Sequence, residues 1–283
     1  MKIVNVIPIE RGISIETLTY FTALNVEEGM IVMVPVRARM IPALVVSSKN
    51  VGNIKSEIRS MPFGIKRVSK ILFTEFLSKD FIESAKECAQ YFAITTGTML
   101  KTIIPDKIFR DLDKPEIQSP KYENKIKSNF ERLAIQAQKE KRMMHYSELI
   151  ETEFKRNNSV YIMLPTAEET KIYFDILPEN IKKRSFLLNS EIPLKTLQET
   201  REKMAEKKQP ILEVGTGAFL CACPGNLGTI IVERESSRSY KTLKRPFIDF
   251  RIFAEIYAKH LNARFLLGDD FLRIETLYRI ENK

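Results

Sequence analysis

Residues 111–121, DLDKPEIQSPK, divide the chain into two stretches whose apolar residues follow different patterns, and two patterns call for two cores. With two prolines, several charges and little apolar content, this segment reads as a linker. Before it, Ile3–Ile9, Met30–Val36, Ile41–Ser47 and Arg67–Phe73 are short and rich in Val and Ile, parted by Glu28-Gly29 and Lys49–Asn53. Pro35 and Pro42 bracket the Arg37–Arg39 turn, as suits strand ends. A helix is expected next, capped by Asp80 with Glu83, striped by Ile82, Ala85, Ala89 and Phe92, and stopped at Gly97. Met99–Phe109 closes this unit with Pro105.

After the linker, helices and strands alternate. A long polar helix is expected over Asn124–Arg142, then a buried strand at Val160–Leu164. Thr166 and Glu169 form a capping box for a helix running to Leu177. Strands follow at Ser185–Leu188, Ile211–Val214, Thr229–Glu233 and Arg264–Leu267, with helices near Leu194–Lys207 and Phe247–Leu261. Strands parted by helices of this length predict a parallel sheet covered on both faces. The expected architecture is a β-rich domain at 1–110, a linker at 111–121 and an α/β parallel-sheet domain at 122–283.

Net charge adds a first functional pointer. The formal charge is +9, of which residues 1–110 carry +5 (15 Lys+Arg against 10 Asp+Glu). A basic excess suits a polyanionic partner, because each neutralised phosphate releases condensed counterions. No run approaches the length of a membrane helix, the N-terminus lacks a signal-peptide layout, and a cytoplasmic protein is expected. Cys88, Cys221 and Cys223 make no disulfide framework, and a single C-x-C without a second pair does not predict a zinc site.

Two ordered stretches resemble the primosomal protein N′ (PriA) family. In the first, Leu18-Thr19-Tyr20 precedes Glu28–Val32, Val34-Pro35-Val36-Arg37 and Lys66–Leu72, with Tyr91-Phe92 and the Gly97–Ile104 tail beyond. In the second, Val214-Gly215-Thr216-Gly217-Ala218-Phe219-Leu220, Pro224–Glu235, Ser239-Tyr240-Lys241, Arg251 with Ala254, and Leu266-Leu267-Gly268 with Glu275 are similar to the family's first helicase lobe. The resemblance implies a 3′-DNA-binding domain followed by a RecA-like lobe.

The departures concern the motor. The phosphate-binding loop of such a lobe needs glycines whose backbone N–H groups cradle phosphates, and a lysine. The corresponding region reads Lys125–Arg132, and no glycine occurs between residues 98 and 214. The family's magnesium-binding DEEH box is Glu233-Arg234-Glu235-Ser236, and the last motif reads Gly268-Asp269-Asp270-Phe271. The family's second lobe, zinc-binding cysteine cluster and winged-helix insert have no counterpart in this sequence. The expectation is therefore a pseudo-helicase without catalytic residues, metal or cofactor.

By the same resemblance, a 3′-end pocket is expected from Leu18, Thr19, Tyr20, Arg37 and Lys66. Thr19 stands at the family's aspartate and Arg37 at its glycine. Arg37 and Arg39 suit bidentate grip of a phosphate, against the competing reading of a core Tyr20 and Leu18 beside a solvated turn. Lys66, Arg67 and Lys70, with Lys101 and Lys107, form a second basic group for sequence-independent contact. Tyr240 and Lys241, with Arg238, Lys244 and Arg245, offer a base-stacking aromatic among cations. The expected partner is DNA with a 3′ end, fork or single/double-strand junction, in replication restart or repair. Replisome or primosome proteins are further candidates, and no membrane is expected. Two rivals are a replisome scaffold with a decayed DNA pocket and a helicase subunit completed by a second chain.

Overall fold

The structure, a computed structural model, describes residues 1–50, 64–74, 76–109, 129–207, 209–223 and 226–282, apart from the side chain of residue 205. It comprises two units, Met1–Ser119 and Pro120–Lys283. The expected linker 111–121 lies outside the described residues, as do the end of the Lys49–Asn53 turn and Pro224-Gly225.

The first unit is a sheet that closes on itself. Its strands are β1 (Lys2–Pro8), β2 (Leu18–Thr22), β3 (Ile31–Val36), β4 (Arg39–Asn50), β5 (Lys66–Arg67) and β6 (Lys70–Phe73), in the order β5-β2-β1-β4-β3-β6. Only Val68 and Ser69 separate β5 from β6, so one segment pairs with both edges. The Val68 N–H donates to Phe21 O (3.0 Å) and the Ser69 N–H to Met33 O (2.9 Å). Val68 is fully buried among Val4, Val6, Tyr20, Val26, Val32, Val34, Ile41, Ala43 and Val45. Val, with its stiff branched side chain, packs well on such a pleated inner face.

Two helices follow, α1 (Lys79–Tyr91) and α2 (Thr96–Ile103). The cap of α1 is Ser78, whose hydroxyl accepts the Phe81 N–H, whereas Asp80 lies inside the first turn. That corrects the expected cap: an acid one turn in still favours the positive end of the helix dipole. Gly97 does not stop α1 either. The helix ends at Tyr91, and Ala93 takes φ 51° at the corner. Gly97 sits inside α2, where a Cβ would come within 1.9 Å of Pro8 O, so this glycine lets α2 touch β1 backbone to backbone.

The second unit holds six strands, all parallel: β7 (Glu131–Gln136), β8 (Ser159–Met163), β9 (Ser185–Leu188), β10 (Leu212–Gly215), β11 (Leu227–Glu233) and β12 (Arg264–Asp269). Their order is β7-β12-β11-β8-β10-β9. The helices are α3 (Lys139–Lys155), α4 (Ala167–Asp175), α5 (Glu179–Lys182), α6 (Leu194–Glu206), α7 (Phe250–His260) and α8 (Ile274–Glu281). Thr166 caps α4 as expected, accepting the Glu169 N–H. One core joins Tyr146, Ile150, Tyr173, Leu177 and Ile181 of the helical layer to Val160, Ile162, Val214, Ile231 and Leu266 of the sheet. No helix among the described residues is long and apolar enough to cross a membrane.

One expectation fails here. Residues 131–136, assigned to a polar helix over Asn124–Arg142, form the edge strand β7, and 124–128 lie outside the described residues. An edge strand needs no continuous apolar run, so ERLAIQ looks helical by composition. The helix begins at Lys139 and buries Arg142, Tyr146, Ile150 and Glu153 at intervals of four, four and three.

Glu213 of β10 is fully buried, and neither carboxylate oxygen has a hydrogen bond of good geometry. Burial raises its pKa from 4.5 to about 8, which the neighbouring Cys223 thiol offsets only in part. The folded chain thus holds a proton on Glu213 that the unfolded chain releases. Stability contributed by this proton is complete below about pH 4.5 and is lost as pH rises towards 8, at up to about 1.4 kcal/mol per pH unit. Denaturant titrations across this range should show Glu213→Gln flattening the decline. In the first unit, Gly97→Ala should cost about 1–3 kcal/mol in the same measurement, because backbone must move to admit the methyl.

Candidate nucleic-acid interface

The β3–β4 hairpin turns through Arg37 and Ala38 alone, with Val36 opposite Arg39. Arg37 takes φ 53°, a left-handed conformation that favours glycine over a side chain as large as arginine. At the base of this hairpin Pro35 O accepts a hydrogen bond from the Tyr20 hydroxyl (3.0 Å). Tyr20 in turn lies opposite Lys66, Phe21 opposite Arg67, and Met33 opposite Lys70. The arginine turn and the lysine-rich closing segment therefore share Tyr20 as a common neighbour. Arg37, Arg39, Lys66, Arg67 and Lys70 are all exposed, and none forms an ion pair with a described carboxylate. Lys101 differs, since its ammonium lies 2.8 Å from Asp106 and 3.9 Å from Glu10.

Residues 6–105 match the PriA 3′DNA-binding domain (3′BD). No curated protein matches the chain. These five exposed cations, and Leu18 to Tyr20, fall inside the 3′BD match.

Leu18, Thr19 and Tyr20 do not line one pocket, which corrects the expected arrangement. Successive strand residues face opposite sides, so Leu18 and Tyr20 pack on the inner core while Thr19 points away from it. Tyr20 is 4% exposed, and burial raises its pKa, so the phenol stays neutral and committed to Pro35. Thr19 Oγ1 donates to Asn5 Oδ1 (2.9 Å), and Asn5 Nδ2 donates to Ser47 Oγ (3.1 Å). On the outer face of the first sheet, β2, β1 and β4 thus carry a short polar row. The sequence pattern does not reveal this row, because its members lie in three separate strands.

In the second unit the expected stacking residue is also corrected. Tyr240 is 2% exposed, and its hydroxyl lies 2.6 Å from Glu233 O and 2.9 Å from Met163 O. It ties the ends of β8 and β11 and has no face for a base. Lys241, Arg238, Lys244 and Arg245 are exposed, and the exposed aromatic beside them is Phe247, at 60%.

The Glu233–Ser236 turn is held from every side. Glu233 accepts from Arg142 Nε (3.0 Å), Arg142 Nη2 (2.6 Å) and the Tyr146 hydroxyl (2.8 Å). Glu235 accepts from the Arg273 backbone N–H (2.6 Å) and side-chain Nε (2.9 Å). Asp269 Oδ2 accepts the Ser236 N–H (2.7 Å), and Arg234, at φ 54°, pairs with Glu169 (2.8 Å). Burial alone would lower the Arg142 pKa, but its bonds to Glu233 and Asp270 outweigh that and raise it. Glu233 and Glu235 do not fit a magnesium ion, because the Arg142 and Arg273 guanidinium groups already pair with them. No described group of three or more His, Cys, Asp or Glu could hold a metal.

The region expected to replace a phosphate loop is also placed differently. Glu131 and Arg132 belong to β7, and 125–128 lie outside the described residues. The connection from β7 into the next helix is Ala137-Gln138, two residues without glycine.

Relieving the strained turn gives a direct check on the hairpin. Arg37→Gly should stabilise the first unit by about 1 kcal/mol in urea unfolding, since glycine adopts φ 53° without the side-chain penalty.

Proposed function

We propose that this chain binds 3′-ended or branched DNA, as replication restart or repair requires, and does not unwind it by ATP hydrolysis. The observation that carries the reading is the set of five exposed cations, Arg37, Arg39, Lys66, Arg67 and Lys70, within the 3′BD match, none of them paired with a described carboxylate. Cations without a partner among the described carboxylates are available for phosphates, and such contacts are independent of base sequence. Arg37 and Arg39 offer forked donors to a phosphate next to a 3′ terminus.

The α/β unit serves in this reading as a degenerate helicase lobe. Support comes from its parallel sheet and from the two-residue Ala137-Gln138 connection. A cradle for three phosphates needs several successive backbone N–H groups and close approach at glycine. The neutralised Glu233 and Glu235 agree with the loss of a magnesium-nucleotide site. A replisome scaffold is the second reading, favoured by the exposed Phe271, Ile274 and Tyr278 at α8.

Fluorescence anisotropy with 3′-tailed DNA, compared with a duplex lacking a free 3′ end, tests the proposal across a salt series. The tailed DNA should bind more tightly. Replacing both Arg37 and Arg39 by Ala should weaken binding and reduce the slope of log affinity against log salt by about 0.7–0.9 for each phosphate no longer neutralised. Equal affinity for the two DNAs would remove the 3′-end reading and favour the scaffold. DNA-stimulated phosphate release above background would overturn the claim of no hydrolysis.

A further inference from the structure

Open parallel sheets bind their ligands in the crevice outside the carboxyl ends of the strands. In this chain the crevice at the ends of β7, β11 and β12 is filled from within. Arg142, on the first turn of α3, is 1% exposed. Its Nε and Nη2 grip both oxygens of Glu233, and Nη1 donates to Asp270 Oδ1 (2.5 Å) and to Ala137 O. Three strands are thereby joined through one guanidinium: Glu233 ends β11, Ala137 follows β7 and Asp270 follows β12. The Tyr146 hydroxyl completes the arrangement on Glu233, at a place where a Cβ on Gly268 would lie 1.7 Å from the phenol oxygen.

We infer that Arg142 is a tethered cation, which permanently takes the place that a mobile cation would need between Glu233 and Asp270. An ordinary buried ion pair orders two groups. This guanidinium also closes off the crevice and satisfies a backbone carbonyl at the entry to α3. The inference deepens the part of the proposed function that denies this unit a nucleotide. DNA affinity of the 3′BD region is measured separately, so the two claims can fail independently.

The test uses the full chain and follows thermal unfolding with and without millimolar manganese chloride or methylguanidinium chloride. Wild type should not shift with either cation. Arg142→Ala leaves Glu233 buried and unpaired, and its melting temperature should fall by about 10 °C. Either added cation should restore a measurable part of that loss. The double variant Arg142→Ala/Glu233→Gln should melt above the single variant and ignore both cations. The inference is overturned if wild type shifts as much as Arg142→Ala, or if neither cation moves Arg142→Ala. It is overturned equally if that variant stays unfolded with cation while the double variant folds.

Discussion

A sheet that does not close presents two rows of unpaired N–H and C=O groups, each open to pairing with another chain. In the N-terminal unit one short segment removes both. Lys66-Arg67 pairs with β2, Lys70–Phe73 pairs with β3, and Val68 between them fills the core. The cations at 66, 67 and 70 are consequently part of a seam, not of a free loop. The hydrogen bonds that close the fold also fix where its positive charge is presented, so changes to the seam alter the fold and the placement of that charge together.

In the α/β unit the organising problem is charge inside the protein. Arg142, Glu233, Glu235, Arg251, Asp249 and Asp269 are all buried, and each has a described partner of opposite charge or a hydrogen bond. Removing one member of such a set costs about 3–5 kcal/mol, although the intact pair contributes little net stability. The network therefore fixes the conformation of the Glu233–Ser237 turn more than it raises stability. Glu213 is the contrasting case. It forms no ion pair among the described residues, and burial favours its protonated form.

Much of this is legible in the sequence. Val- and Ile-rich runs mark the barrel strands, and uninterrupted apolar segments mark β8, β11 and β12. Thr166 with Glu169 announces the start of α4. What periodicity does not show is β7, because an edge strand with charged neighbours lacks the apolar signature. Leu18–Thr22 stands out as a motif but not as a strand. The five cations are legible one by one, yet whether a described carboxylate reaches them depends on distances between residues far apart in the chain. The roles of Tyr20 and Tyr240 are hidden for the same reason, since a tyrosine in a basic stretch looks available until its hydroxyl partner is known.

The order of strands in the second sheet has a consequence for synthesis. Among the described residues β7 pairs only with β12, so Glu131 must wait for Arg264, 133 residues later in the chain. Arg142 likewise meets Glu233 only after 91 further residues have been made. A nascent chain carries β7 and a charged α3 without partners until Arg264–Asp269 has left the ribosome. Pairing of β7 is thus a late event that waits for β12, whereas every described strand of the first unit has been synthesised by residue 73.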